Sequence, residues 1–375
     1  MHPRLAEPHD KEQWRMYRDA EPPAPPVMPS YAEYLEMSDI ARRKLNRRRA
    51  AYHSALVLVE TPDVTRLHYE LDRRLEVNQS QPPGARRGKV LDGPPTTGKS
   101  TLIKWFACDY ELALLEDEPE RFVVHEGQEY VRDYVPVVYV SIGSENTPKD
   151  LSIAIANFLI LPVRDGATKT KVTHQVIKAM QICGTELVII DEFHHLEVSQ
   201  KEGKAANDHL KHLANHTPAT FVYLGTDLET SALFLDGRAR DRATQMAARN
   251  DLCTIGLHKI GTKEQIVVWA EIIAAMEDAL LLYKHEPQSL VLKHWRYLHD
   301  RTRGSIASLS HLIRESASEA VRSGREAITV DLMETIAIDQ RATEYTIDTA
   351  KRRRAQRSAK SVEQKRNSIQ ASATP

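Results

Sequence analysis

The chain has only three cysteines in 375 residues, Cys108, Cys183 and Cys253. Their number is odd, their spacing is wide, and no CxxC pair occurs. This argues against a disulfide scaffold or a cysteine zinc site and makes a reducing compartment the default. No apolar run approaches the roughly 18 residues of a membrane span. The N-terminal stretch "MHPRLAEPHDKEQWRMYRDAEPP" has no apolar signal-peptide core. A cytoplasmic protein without a membrane partner is expected. The net charge of −1 carries no overall bias toward nucleic acid, and there is no internal repeat.

What is present is a globular composition, 41% hydrophobic and 27% charged. The length suits one large or two modest domains. Residues 1–50 read as an N-terminal arm and a basic helix. The arm ends in the proline-rich "EPPAPPVMP", which cannot continue a helix and should be exposed. The helix carries Arg42, Arg43, Lys44, Arg47, Arg48 and Arg49. Thr61 then caps a helix with Pro62 at its first position and Val64, Leu67, Leu71 and Leu75 at helical spacing. Over 51–255 short apolar runs alternate with helical patterns. "VPVVYVSI", "ELVIIDEF" and "ATFVYLGT" read as strands buried on both faces. That alternation predicts an α/β fold, a parallel sheet covered by helices. Residues 256–340 read as helices only, a helical lid domain. Residues 341–375 read as a basic tail, with eight basic residues against Glu363 between 351 and 367.

The chemistry begins at "GKVLDGPPTTGKST". Gly93, Pro94, Pro95, Thr96, Thr97, Gly98, Lys99 and Ser100 fit the G-x-x-x-x-G-K-[ST] phosphate loop at every fixed position, with Thr101 following. Glycines let consecutive backbone amides face phosphate oxygens, and the next helix adds its positive end. Lys99 is placed to reach the β- and γ-phosphates of ATP, and the Ser100 hydroxyl to ligate Mg²⁺. "LVIIDEFHHL" supplies the carboxylates such a loop needs at a strand end. Asp191 is the second Mg²⁺ residue, and Glu192 is the group that polarises the attacking water. His194 and His195 have no further ligand at metal spacing and read as polar contacts near the nucleotide or a neighbouring subunit. Thr226 and Asp227 end the strand in "FVYLGTD". They either contact the γ-phosphate or the attacking water, or cap the following helix.

In combination these segments resemble an AAA+ ATPase, a P-loop NTPase. More narrowly, "ALVLVETPDVTRLHYELDRRLEVN", "GPPTTGKST", "LVIIDEFHHL" and "VYLGTD" resemble the TniB/TnsC group of transposition ATPases, and "RGSIASLSHLIRESASEAVRSGREAI" is similar to that group's lid. The match covers roughly residues 50 to 340. The resemblance implies an ATPase that assembles ATP-dependent homo-oligomers, rings or filaments, on double-stranded DNA. There it would recruit or stimulate a DDE transposase, with a target-selection protein as a further partner. The nucleotide would time assembly, and no DNA bond would be made or broken by this chain.

Two departures from the family pattern stand out. Where AAA+ lids often carry an arginine for the γ-phosphate, the stretch "GSIASL" offers Ser308, with Arg303 just before Gly304 as a substitute. For the arginine that reaches a neighbour's site, Arg238, Arg240, Arg242 and Arg249 are available; Arg249 is first choice and Arg242 second. The resemblance puts DNA contacts on loops, where Lys149, Lys169 and Lys171 are candidates; the tail from Lys351 to Arg366 is a second candidate, for DNA or transposase contact. Two other readings stand beside it. "DEFH" fits a DExH helicase, but such a motor needs a second nucleotide-facing domain and only helices follow residue 256. An ATP-gated scaffold for replication, plasmid maintenance or defence also fits, because fold does not fix function.

Overall fold

The computed structural model describes residues 7–55, 58–82, 86–117, 122–143, 147–196, 200–228 and 249–338. In chain order the helices begin with α1 (Lys11–Arg18), α2 (Tyr31–Glu36), α3 (Asp39–His53) and α4 (Pro62–Gln79). There follow α5 (Lys99–Glu116), α6 (Pro148–Phe158), α7 (Lys169–Cys183) and α8 (Gln200–His216). The last four are α9 (Lys263–Asp278), α10 (Ser289–Thr302), α11 (Ile306–Arg322) and α12 (Val330–Thr335). The described residues divide into two compact units: Met1–Glu21 with Glu60–Gly256, and Pro22–Val59 with Leu257–Pro375. No described helix is long and apolar enough to cross a membrane.

The first unit is built on five parallel strands. These are β1 (Gly88–Asp92), β4 (Val137–Ser141), β5 (Leu187–Asp191), β6 (Thr220–Gly225) and β7 (Asn250–Thr254), ordered β4-β5-β6-β1-β7. Every residue of β1, β5 and β6 is buried, and β5 and β6 accordingly read as apolar runs, whereas β1 also buries Lys89, paired with Glu70, and Asp92. The edge strand β7 alternates in exposure. A separate antiparallel hairpin, β2 (Phe122–His125) with β3 (Gln128–Val131), precedes β4. In register, Asp92 lies beside Gly225 and Ser141 beside Asp191. Because the strands are parallel, their C-terminal ends share one edge of the sheet.

The expected exposed arm holds a docked helix instead. Asp10 caps α1 by accepting from the Gln13 amide, and Trp14 is 1% exposed. Its indole stacks on Tyr139 at 5.8 Å and donates to Glu111. Arg18 pairs with Glu111 at 2.7 Å, while Lys11 and Arg15 hold Asp133 at 2.5 and 2.6 Å.

The second unit is all-helical among the described residues. Trp269, Ile272 and Ile273 of α9 pack with Leu298 of α10 and with Leu309, Leu312 and Ile313 of α11. Residues 22–59 precede the sheet in sequence yet belong to this unit. Arg49 of α3 is fully buried there, bound through both Nη atoms to Glu326 and through Nε and Nη2 to the Leu281 carbonyl.

Candidate nucleotide site

Of the five strands that end at the shared edge, β1, β5 and β6 each pass into a turn with unusual backbone. After β1, a Cβ at Gly93 would stand 2.0 Å from the Ile255 carbonyl oxygen, so only glycine fits. Gly98 leads into α5 with φ 87°, a left-handed angle that glycine takes without penalty. Thr96 takes φ 67°, Glu192 after β5 takes 54°, and Asp227 after β6 takes 56°. Such angles cost a residue with a Cβ roughly 1–3 kcal/mol, and strain of this kind gathers at functional sites.

Lys99 is buried, and its Nζ donates to the Gly93 and Pro94 carbonyls at 2.7 and 2.9 Å. Burial lowers its proton affinity, and the charges of Glu192, Asp191 and Asp92 act in the opposite direction. The loop lysine and the strand-end carboxylates are therefore near enough to feel one another. Thr97 closes the loop by donating its hydroxyl to the Pro94 carbonyl at 3.0 Å. Pro94, Pro95 and Thr96 are exposed, while Ser100 and Thr101 are half-buried on the first turn of α5.

Asp191 is 3% exposed and oriented from two sides. Its Oδ1 accepts from the Glu192 amide at 2.8 Å, and its Oδ2 from the Tyr139 hydroxyl at 2.7 Å. The same hydroxyl lies 2.9 Å from Glu7 Oε1, and Lys104 bonds that Glu7 oxygen at 3.1 Å. A phenol has one proton to donate, so it serves Asp191 or Glu7 but not both at once. Burial works against the charged form of Glu7, yet Lys104 and Tyr139 hold its carboxyl below the ordinary range. Burial, Asp191 and Glu7 together push the Tyr139 hydroxyl upward, so it stays a donor.

Glu192 is exposed, with its carboxylate 3.5 Å from His194 Nε2. Ligand atoms of Glu192, His194 and His195 all lie within 4.8 Å of one another, a grouping made by the turn at residues 193–196. Thr226 is half-buried and Asp227 exposed at the end of β6. Sequence reasoning misses Asp92: its Oδ1 accepts from the Gly93 amide at 2.8 Å and the Leu228 amide at 3.1 Å. It thereby ties the phosphate loop to the turn that carries Thr226 and Asp227.

Other candidates lie apart from this cluster. Arg249 precedes β7 at the N-terminal edge of the sheet, opposite the phosphate loop, and donates to Asn215 Oδ1 at 3.0 Å. Arg238, Arg240, Arg242 and the tail from Lys351 lie outside the described residues. Lys149 and Lys169 are half-buried and Lys171 is exposed, at the starts of α6 and α7. Ser308 is buried in the first turn of α11, its hydroxyl 3.0 Å from that of Ser305, and offers no charge. Arg303 is exposed with φ 57° at the end of α10.

A family model described as "Bacterial TniB protein" matches residues 49–250, more than half of the chain. The chain belongs to the TniB family. No curated protein matches it. Among solved structures, this TniB chain is similar to the Aeropyrum pernix ORC2 protein in ADPNP-ADP complexes, with TM-score 0.54 and 14% identity over 77% of this chain and 70% of that one. It is also similar to Cdc6p from Pyrobaculum aerophilum, at TM-score 0.50 and 15% identity over 74% and 67%. The Aeropyrum pernix ORC1 protein in complex with DNA matches at TM-score 0.50 and 14% identity over 77% and 68%. At these identities the likeness is one of fold. This TniB chain has the AAA+ P-loop fold, with the helical C-terminal region present.

Proposed function

We propose that this TniB chain hydrolyses ATP and uses the nucleotide state to control homo-oligomeric assembly on double-stranded DNA. There it recruits or activates a DDE transposase, with a target-selection protein as a further partner. The observation that carries the catalytic part is that the Gly93–Ser100 loop follows β1 while Asp191 ends β5 and Glu192 follows it, at the same edge of one parallel sheet. The family match supports the transposition part. The DNA in the ORC1 structure belongs to that protein and lends only an analogy.

In this reading the Gly93–Thr101 loop wraps the phosphates with its amides, and Lys99 exchanges two neutral carbonyl partners for phosphate oxygens. The donors for a divalent ion are the Ser100 hydroxyl and Asp191, hard oxygens of the kind Mg²⁺ takes. The fit is good because Asp191 is buried and aimed by Tyr139 and the Glu192 amide. Bound there, Mg²⁺ would neutralise charge on the terminal phosphates. Glu192 is exposed and held in a left-handed turn, so its carboxylate is free of the strand's alternation and able to take a proton from water. Thr226 and Asp227 complete the edge beside the γ-phosphate. Arg249 serves a neighbouring subunit, since it stands at the far end of its own sheet. Lys149, Lys169 and Lys171 contact DNA phosphates.

The test is ATP turnover with Lys99→Ala and Glu192→Gln. Lys99→Ala is expected to lose nucleotide binding. Glu192→Gln is expected to bind ATP while turning it over roughly 10²- to 10⁴-fold more slowly. Normal turnover in Glu192→Gln would remove that residue from the chemistry.

A further inference from the structure

The basic run in α3 is divided by the structure into two kinds of residue. Arg42 pairs with Asp39 at 2.5 Å, and Arg49 is buried against Glu326. Arg43, Lys44, Arg47 and Arg48 are all exposed, and none of them has an ion pair among the described residues. At about 100° per residue these four cover one face of α3. Leu45, Arg49 and His53, the buried residues, cover the opposite face. Arg49 also lies beneath the rings of Tyr34 and Tyr283, with its guanidinium 5.8 and 5.2 Å from their centroids. The outward cations are thus mounted on a helix fastened at its back, which lowers the entropic cost of presenting them together.

We infer that this outward face of α3 is a contact surface for the phosphate backbone of DNA; the inference rests on the proposed assembly on DNA and names where it occurs. Charge complementarity selects the partner. Four cations fall within about 7.5 Å of helix, and a duplex carries one negative charge per roughly 1.7 Å of its axis. An acidic polypeptide would be expected to bring an apolar centre to its interface. On this face the only large apolar residue is Ile40, at the start of the helix. The groove alongside, lined by Arg43 and Arg47, also holds Glu315 and Glu319. Glu319 is engaged by Arg322, so Glu315 is the one acid in the groove left to oppose Arg43 and Arg47. Contacts of this kind read no bases, and their strength falls steeply with salt.

The experiment is a salt titration of binding to a labelled random-sequence duplex, using the full chain with a slowly hydrolysed ATP analogue. A variant with Arg43, Lys44, Arg47 and Arg48 all changed to Gln is compared with the native chain. The slope of log affinity against log salt should fall by about 0.9 for each phosphate no longer neutralised, up to roughly 3–4 in all. Affinity near physiological salt should fall at least about tenfold. Arg43→Lys, Arg47→Lys and Arg48→Lys combined should keep the native slope, and an unchanged thermal midpoint in both variants establishes that α3 remains folded. Native slope and affinity in the Gln variant would overturn the inference while leaving DNA binding itself intact. Loss of polyglutamate binding with duplex binding unaltered would overturn it in favour of an acidic polypeptide. Absence of duplex binding by the native chain would overturn it together with the assembly reading.

Discussion

Lys99 in the first unit and Arg49 in the second are both buried cations, and they are treated differently. In the first unit Lys99 is held by two neutral carbonyls, with carboxylates acting on it from a distance. In the second, Arg49 is met by the Glu326 carboxylate, the Leu281 carbonyl and Asn46, and is 0% exposed. A desolvated cation with only neutral partners gains by meeting an anion, so Lys99 is poised for a phosphate. A cation already matched by a carboxylate has nothing more to gain, so Arg49 is structural. The same residue class therefore marks a binding site in one unit and a fastening in the other.

The largest expected effect comes from unmaking the fastening. Arg49→Met leaves Glu326 charged and buried, which should destabilise the second unit by about 3–5 kcal/mol. Adding Glu326→Leu should recover most of that loss. Calorimetry of both variants checks this, and a small loss in the single variant would mean that the pair is not what secures α3. The next effect is acid lability, which the two units share. His53 in one and His209 in the other are each pushed down to about 4, mainly by burial. Their ordinary value is near 6.5, so each is neutral when folded and charged when unfolded between those limits. Each contribution is complete above about pH 6.5 and is lost as pH falls toward 4, on the order of 3 kcal/mol per histidine. Denaturant midpoints that stay flat from pH 7 to 4.5 would contradict this.

Smaller still is Tyr139→Phe, which removes one hydrogen bond to Asp191, about 1 kcal/mol. The Mg²⁺ concentration for half-maximal ATPase should rise roughly fivefold, with the maximal rate and thermal midpoint much less affected. An unchanged Mg²⁺ dependence would show that Asp191 is oriented without it. The smallest effect on stability belongs to Lys99→Ala. Its burial is already unfavourable to the charge, so the thermal midpoint should hold or rise even as nucleotide binding is lost. A large destabilisation would erase the contrast with Arg49.

The phosphate loop, Asp191 and Glu192 are legible in the sequence because their chemistry is local: fixed spacing at the ends of strands written as apolar runs. The parallel sheet is legible for the same reason. The supports are not. Tyr139 reaches Asp191 across 52 residues and Glu7 across 132, and nothing in either segment announces the other. Trp14 lies in a polar stretch whose single buried indole is too weak a pattern to mark a docked helix. The edge strand β7 escapes notice because "NDLCT" has only Leu252 and Cys253 as apolar residues. Arg49 looks like its five basic neighbours, and only packing against Glu326 sets it apart.

ATP-gated assembly on DNA is tested most directly by anisotropy of a labelled random-sequence duplex titrated with the chain alone, with ADP, and with a slowly hydrolysed ATP analogue. Cooperative binding confined to the analogue is the expected result. Equal binding in all three states would contradict the nucleotide switch and leave only constitutive electrostatic attachment.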